Sequence, residues 1–236
     1  SGEPPRFATE YRRATTADAR REFFQVADEC PWLRLLLLTK RPENIPAMWW
    51  VPSSSGDVGH GITLTSTGPA FRRNVWLGTS VACQKDMANV IELLKCRGLA
   101  SKLFVSAEPL IGPLDFDEAF YVGKEGGWEW AGATRQMIDW VITGGESGAG
   151  ARPCRVAWVR SITEQCRKAG MHCFNKQLGA VCVVDNVEHP NGEHWPGVVF
   201  DPRGMPLGLS RAMLKEPKGG DMAEWPADLR VREMPS

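Results

Sequence analysis

Apolar and polar positions alternate along this chain in blocks. Leu33 to Leu38 is apolar apart from Arg34 and runs into Thr39-Lys40-Arg41-Pro42. Asn74 to Leu77 runs into Gly78-Thr79-Ser80, and Leu103 to Val105 into Ser106-Ala107-Glu108-Pro109. Trp140 to Ile142 runs into Thr143-Gly144-Gly145-Glu146-Ser147, and Cys173-Phe174 into Asn175-Lys176-Gln177. Short apolar runs closed by turn residues are strands buried on both faces, as in parallel sheets. Between them the apolar spacing becomes helical. Phe23, Phe24, Val26 and Ala27 follow a Thr15-Thr16 cap with Asp18 in the first turn, and this helix should end near Cys30-Pro31. Pro42 suits a helix start. Val81, Met87, Val90, Ile91 and Leu94 form a stripe after Ser80, which is expected to cap it, and Gly98 closes it. Val156, Val159, Ile162 and Cys166 form another, closed by Gly170.

Strand, polar turn and helix thus repeat about five times, which predicts an α/β fold with a parallel sheet and crossover helices. Residues 1–13 read as a flexible lead-in, 14–179 as the α/β domain, and 180–236 as a C-terminal hairpin and irregular cover packed on it. In that cover Val181–Val184 pairs with Val198–Phe200, and Trp225 is buried. Residues 52–70 and the Gly126–Trp130 region read as loops.

With 236 residues, 43% of them apolar, the chain can build a substantial core. Lys plus Arg and Asp plus Glu are 28 each, so no global charge argues for nucleic acid or membrane. No apolar run approaches a membrane span and no signal peptide is visible, so a cytoplasmic chain without membrane contact is expected. The seven cysteines are scattered without paired short spacing, which reads as reduced buried thiols; no metal site is expected from them.

In a parallel sheet, ligand-binding residues collect at the carboxyl ends of the strands. Here those ends offer Lys40 and Arg41, Thr79 and Ser80, Ser106 and Glu108, then Gly144, Gly145, Glu146 and Ser147 with Arg152 nearby, then Lys176 and Gln177. Two readings remain open. The cations and glycine-turn amides suit an anionic ligand such as phosphate, carboxylate or a nucleic-acid backbone. Alternatively the charges satisfy one another, Glu146 with Arg152 and Lys176 with the glutamates. No Gly-x-Ser-x-Gly elbow, dinucleotide fingerprint, P-loop or zinc-protease motif is present.

The ordered set Leu-Thr-Lys-Arg-Pro (38–42), Trp-Leu-Gly-Thr-Ser-Val (76–81), Val-Ser-Ala-Glu-Pro-Leu-Ile-Gly-Pro (105–113), Asp-Trp-Val-Ile-Thr-Gly-Gly-Glu-Ser-Gly (139–148), Ala-Arg-Pro (151–153) and Asn-Lys-Gln-Leu-Gly (175–179) resembles a phage- and prophage-encoded family of unknown function, as does the stretch 219–232. That family resembles radical S-adenosylmethionine barrels of the spore photoproduct lyase type. The resemblance implies a partial (β/α) barrel-like sheet of about five units. It implies roles at the barrel mouth for Lys40, Arg41, Ser80, Glu108, Glu146 and Lys176, and a cytoplasmic location in the host cell. Family members usually carry an N-terminal cysteine motif for an iron–sulfur cluster. This sequence has none, so the cluster and S-adenosylmethionine are expected only if a preceding segment supplies that motif.

A partial barrel leaves an edge strand near Leu33–Leu38, expected to be covered by the chain's own termini, by a second copy or by another partner. The functional readings are an enzyme or its substrate-binding half acting on nucleotide or nucleic acid, and a non-catalytic nucleic-acid binder using Lys40, Arg41, Arg72, Arg73 and Lys176. A phage interaction protein is the third.

Overall fold

The computed structural model describes residues 15–49, 71–116, 138–184 and 210–236. In chain order the strands are β1 (Leu35–Thr39), β2 (Arg72–Ser80), β3 (Ala100–Ala107), β4 (Trp140–Gly144), β5 (Cys154–Arg155), β6 (His172–Gln177), β7 (Cys182–Val184) and β8 (Ser210–Arg211). The helices are α1 (Thr16–Glu29), the single turn α2 (Ile45–Met48), α3 (Met87–Leu94) and α4 (Val156–Ala169). The expected lead-in over 1–13, the loop over 52–70, the Gly126–Trp130 segment and the hairpin arm at 198–200 lie outside the described residues.

The main sheet is parallel, with strand order β1-β2-β3-β4-β6. Every crossover therefore steps to the next strand in the same direction. Because such crossovers are right-handed, consecutive steps stack the helices on one face. Among the described residues this is the winding of a (β/α) barrel over five strands, without closure.

Strand parity follows from that winding, since successive side chains point to opposite faces. Odd-numbered residues face the helices: Val75, Leu77, Leu103, Val105, Val141 and Cys173 are buried in one core with Phe24, Val90, Leu93, Val159 and Ile162. Even-numbered residues face the other way. There Trp76, Phe104 and Trp140 form a second cluster, with Ile142 and Phe174 packed against it.

Local chemistry explains the ends. α1 starts at a capping box in which Thr15 Oγ1 accepts from Asp18 N at 3.2 Å and Asp18 Oδ2 accepts from Thr15 N at 2.9 Å. Its last turn is tied to β2 by Asn74 Nδ2, which donates to Ala27 O at 2.7 Å, and by Arg72 on Asp28 at 2.8 Å. Gly170 closes α4 with φ +70, the left-handed conformation that glycine adopts without penalty. The expected cap at Ser80 is corrected: Ser80 is the last residue of β2, and the helical run opens at Cys83, where Asp86 completes a capping box by accepting from Cys83 N at 3.1 Å and also accepts from Ala82 N at 2.7 Å. The strand continues through Thr79 and Ser80 because both still pair with β3, opposite Val105 and Ser106.

The C-terminal tail joins the same core through buried Trp225 and Leu229. Residues 231–233 lie antiparallel along β6, with Asn175 N donating to Val231 O and Glu233 N to Cys173 O, both at 2.8 Å. β7 pairs with β8 at residues 210–211 and with β5, forming a small three-stranded sheet.

Candidate functional site

The carboxyl ends of the five strands bring three of the expected residues together. Glu108 follows β3, leans across the end of β4 and meets Lys176 of β6, with Nζ–Oε1 at 3.0 Å. Ser106 Oγ donates to the other carboxylate oxygen at 3.3 Å. Gly144 is what makes this reach possible. A Cβ there would run into the Glu108 carboxylate, so only glycine leaves the carboxylate its path over β4. Ser80 stands in register with Ser106 on the same, even-numbered face.

The ion pair is half open. The Lys176 side chain is 55% exposed and the Glu108 side chain 20%. A ligand can reach the ammonium without unfolding anything. Lys40 and Arg41 follow β1 at the far end of the rim, exposed, and neither has an ion-pair partner among the described residues. Arg41 N donates to Thr39 Oγ1 at 3.0 Å, which fixes the turn and leaves the guanidinium outside it.

Other expected site residues serve the scaffold. Thr79 is fully buried on the helix side and donates to Thr39 O at 3.0 Å, stitching β2 to β1. Gly145 sits against the backbone of Leu178 and Gly179, so it allows two chain segments to touch. Gln177 secures the same contact, with Nε2 donating to Gly145 O at 2.8 Å. Glu146 takes the ion-pair alternative. Arg152 donates from Nε at 2.7 Å, from Nη2 at 2.9 Å and from its backbone N at 2.9 Å. Those side-chain and then backbone hydrogen bonds pull the Glu146 carboxyl down to about 2. Ser147 is exposed in the turn beyond, where Gly148 and Gly150 take φ +99 and +76. Arg72 and Arg73 lie at the amino end of β2, away from the rim. Arg72 is buried against Asp28 and stacked on Phe24.

Two features were missed in the sequence. The first is the aromatic row beneath the rim, where Trp76–Trp140, Phe104–Trp140 and Trp140–Phe174 ring centroids lie 5.9, 5.9 and 6.0 Å apart. All four residues are even-numbered, so strand parity was the available signal. The second is the buried network around Asn175, read from sequence as a rim residue. Thr143 Oγ1 donates to Asn175 Oδ1 at 2.8 Å, and Asn175 Nδ2 donates to Thr163 Oγ1 at 3.1 Å and Leu229 O at 2.9 Å. Asn175 thereby locks β4, β6, α4 and the tail.

Among the described residues, which include all seven cysteines, no three metal-ligating side chains gather. Cys154 and Cys182 are neighbours in register, and burial pushes the Cys154 thiol up to about 12. A hydrogen bond to Cys173, followed by burial, drives the Cys166 thiol up as well. No three of the seven thiols come together as the ligands of an iron–sulfur cluster would have to.

A consecutive parallel sheet, helices stacked on one face and a polar rim at the strand ends define a partial, barrel-like (β/α) protein. The chain belongs to the family described as "Protein of unknown function (DUF5131)", whose model matches residues 8–206. Comparison with curated proteins and with solved structures finds no match.

Proposed function

We propose that this is a phage-type, radical S-adenosylmethionine-like barrel protein that binds an anionic nucleotide or nucleic-acid-like ligand along its strand-end rim. The observation that carries this reading is the distribution of charge. Lys40 and Arg41, without an ion-pair partner among the described residues, stand at one end, the half-open Glu108–Lys176 pair at the other, and Ser80 and Ser106 lie between. β1 and β6 are four strand spacings apart, about 19 Å along the sheet. That span favours a ligand with more than one anionic group over a single phosphate. Lys and Arg attract the phosphates, the serine hydroxyls donate or accept hydrogen bonds at sugar or base edges, and Glu108 accepts them.

The cysteines of this chain do not fit an iron–sulfur cluster, so no radical step is assigned to it. Binding alone accounts for the rim residues, which favours the non-catalytic reading for this chain.

Fluorescence anisotropy with a labelled single-stranded oligonucleotide tests the proposal. Binding is expected to weaken steeply with salt, as a phosphate-dominated contact requires. The double variant Lys40→Ala with Arg41→Ala is expected to weaken it by roughly tenfold or more at low salt. Unchanged binding in that variant, or binding indifferent to salt, overturns the proposal.

A further inference from the structure

The two edges of the five-stranded sheet are treated differently. Along β6 the tail supplies a covering strand, with the Asn175 N–Val231 O and Glu233 N–Cys173 O bonds and the antiparallel bridge Phe174–Arg232. Along β1 the only strand neighbour among the described residues is β2. An edge of this kind presents a row of unpaired backbone donors and acceptors.

The side chains at the β1 edge are also unlike an ordinary surface. Leu36 and Leu38 are 42% and 52% exposed on the even-numbered face, where they extend the Trp76–Phe104–Trp140 cluster out to the edge. Leu33 and Trp32, just before the strand, are 42% and 77% exposed. Cations flank this apolar strip. Arg34 lies over the Trp76 ring, 5.0 Å from its centroid, and Lys40 and Arg41 follow the strand. Between residues 32 and 41 there is no acidic side chain, although the chain as a whole is balanced.

We propose that the β1 edge is a docking strand for an extended segment of another polypeptide, added to the sheet by backbone hydrogen bonds. The occupant carries apolar side chains at alternate positions, to cover Leu36 and Leu38, and carboxylates at its two ends, to meet Arg34 at one and Lys40-Arg41 at the other. Strand addition of this type takes affinity from the backbone and specificity from alternate side chains. Trp32 supplies an exposed aromatic anchor of the sort that dominates binding at interfaces. The charges select against a second copy of this chain. Two β1 strands laid antiparallel with Leu37 opposite Leu37 would bury the leucines but set Arg34 of one copy against Lys40 of the other, and like charges directly opposite are destabilising.

A short fluorescent peptide alternating leucine and threonine between paired glutamates tests this by anisotropy, with sedimentation velocity of the protein alone alongside. The glutamate-ended peptide is expected to bind. A lysine-ended version, and one N-methylated at alternate backbone amides, are expected to bind about tenfold more weakly or less. The double variant Leu36→Asp with Leu38→Asp changes two exposed positions, so its circular dichroism should match the parent. It is expected to lose the peptide while keeping any oligonucleotide binding at the rim. No binding of the glutamate-ended peptide, equal binding of the lysine-ended one, or retention by the Leu36/Leu38 variant overturns the proposal. A concentration-dependent dimer abolished by that variant overturns it in favour of a second copy.

Discussion

The two faces of one sheet follow the same alternation and do different work. The odd-numbered face is packed by α1, α3 and α4 with Val75, Leu103, Val105 and Val141 at zero exposure. The even-numbered face has its aromatic cluster in the middle, leucines at one edge and a polar rim at the carboxyl ends. A face closed by helices can be almost wholly aliphatic. The even-numbered face is buried in the middle too, with Trp76, Phe104 and Trp140 in ring-on-ring contact, and it carries its charged, solvent-reaching groups at the rim. The difference gives one side an aliphatic core and the other an aromatic core with a polar rim.

The strongest way to break this comparison is to cut a methyl-rich side chain from the closed face. Leu103→Ala removes a fully buried group and is expected to lower unfolding free energy by about 2–5 kcal/mol, read by urea denaturation. On the aromatic face, Gly78→Ala drives a Cβ into the Phe104 ring, and overpacking of this kind costs about 1–3 kcal/mol. Its signature is specific: near-ultraviolet circular dichroism from Trp76 and Trp140 should change while the far-ultraviolet signal stays. If Gly78→Ala proves as damaging as Leu103→Ala, the two faces are equally rigid and the division fails.

The smallest effect sharpens the comparison at the glycine turn. Arg152 holds the Glu146 carboxyl at about 2, below its ordinary value of 4.5. A depressed carboxylate contributes stability above the unfolded value and loses it as pH falls through the folded one. Glu146→Gln should therefore flatten the pH dependence of stability between about 4.5 and 2. It should leave oligonucleotide binding at neutral pH unchanged. Lost oligonucleotide binding would return Glu146 to the site.

Much of the fold was legible because strand–turn–helix repetition and cap chemistry are local. The capping box at Thr15, the Gly170 stop and the five strands all follow from neighbouring residues. The hairpin partner of Cys182–Val184 did not, because Ser210–Arg211 carries no periodic signal over two residues. At the site, residue types at strand ends were readable but their partners were not. Glu146 and Glu108 look alike in sequence, each a carboxylate just past a strand. One is satisfied by an arginine six positions on, while the other crosses a neighbouring strand to a lysine 68 positions away.

The sequence by itself determined the class of fold, the parallel pairing and the list of polar strand ends, since these depend on short-range pattern and on the handedness of crossovers. Only the tertiary structure decided which strand ends converge. Thr79 and Asn175 turn inward because they are odd-numbered, and that side of the sheet packs against α1, α3 and α4. Ser106, Glu108 and Lys176 meet because Gly144 leaves room above β4. The β6 edge is covered because the tail, far along the chain, reaches it, while among the described residues β1 has no strand neighbour but β2. Those outcomes rest on contacts between residues far apart in sequence, which no local pattern encodes.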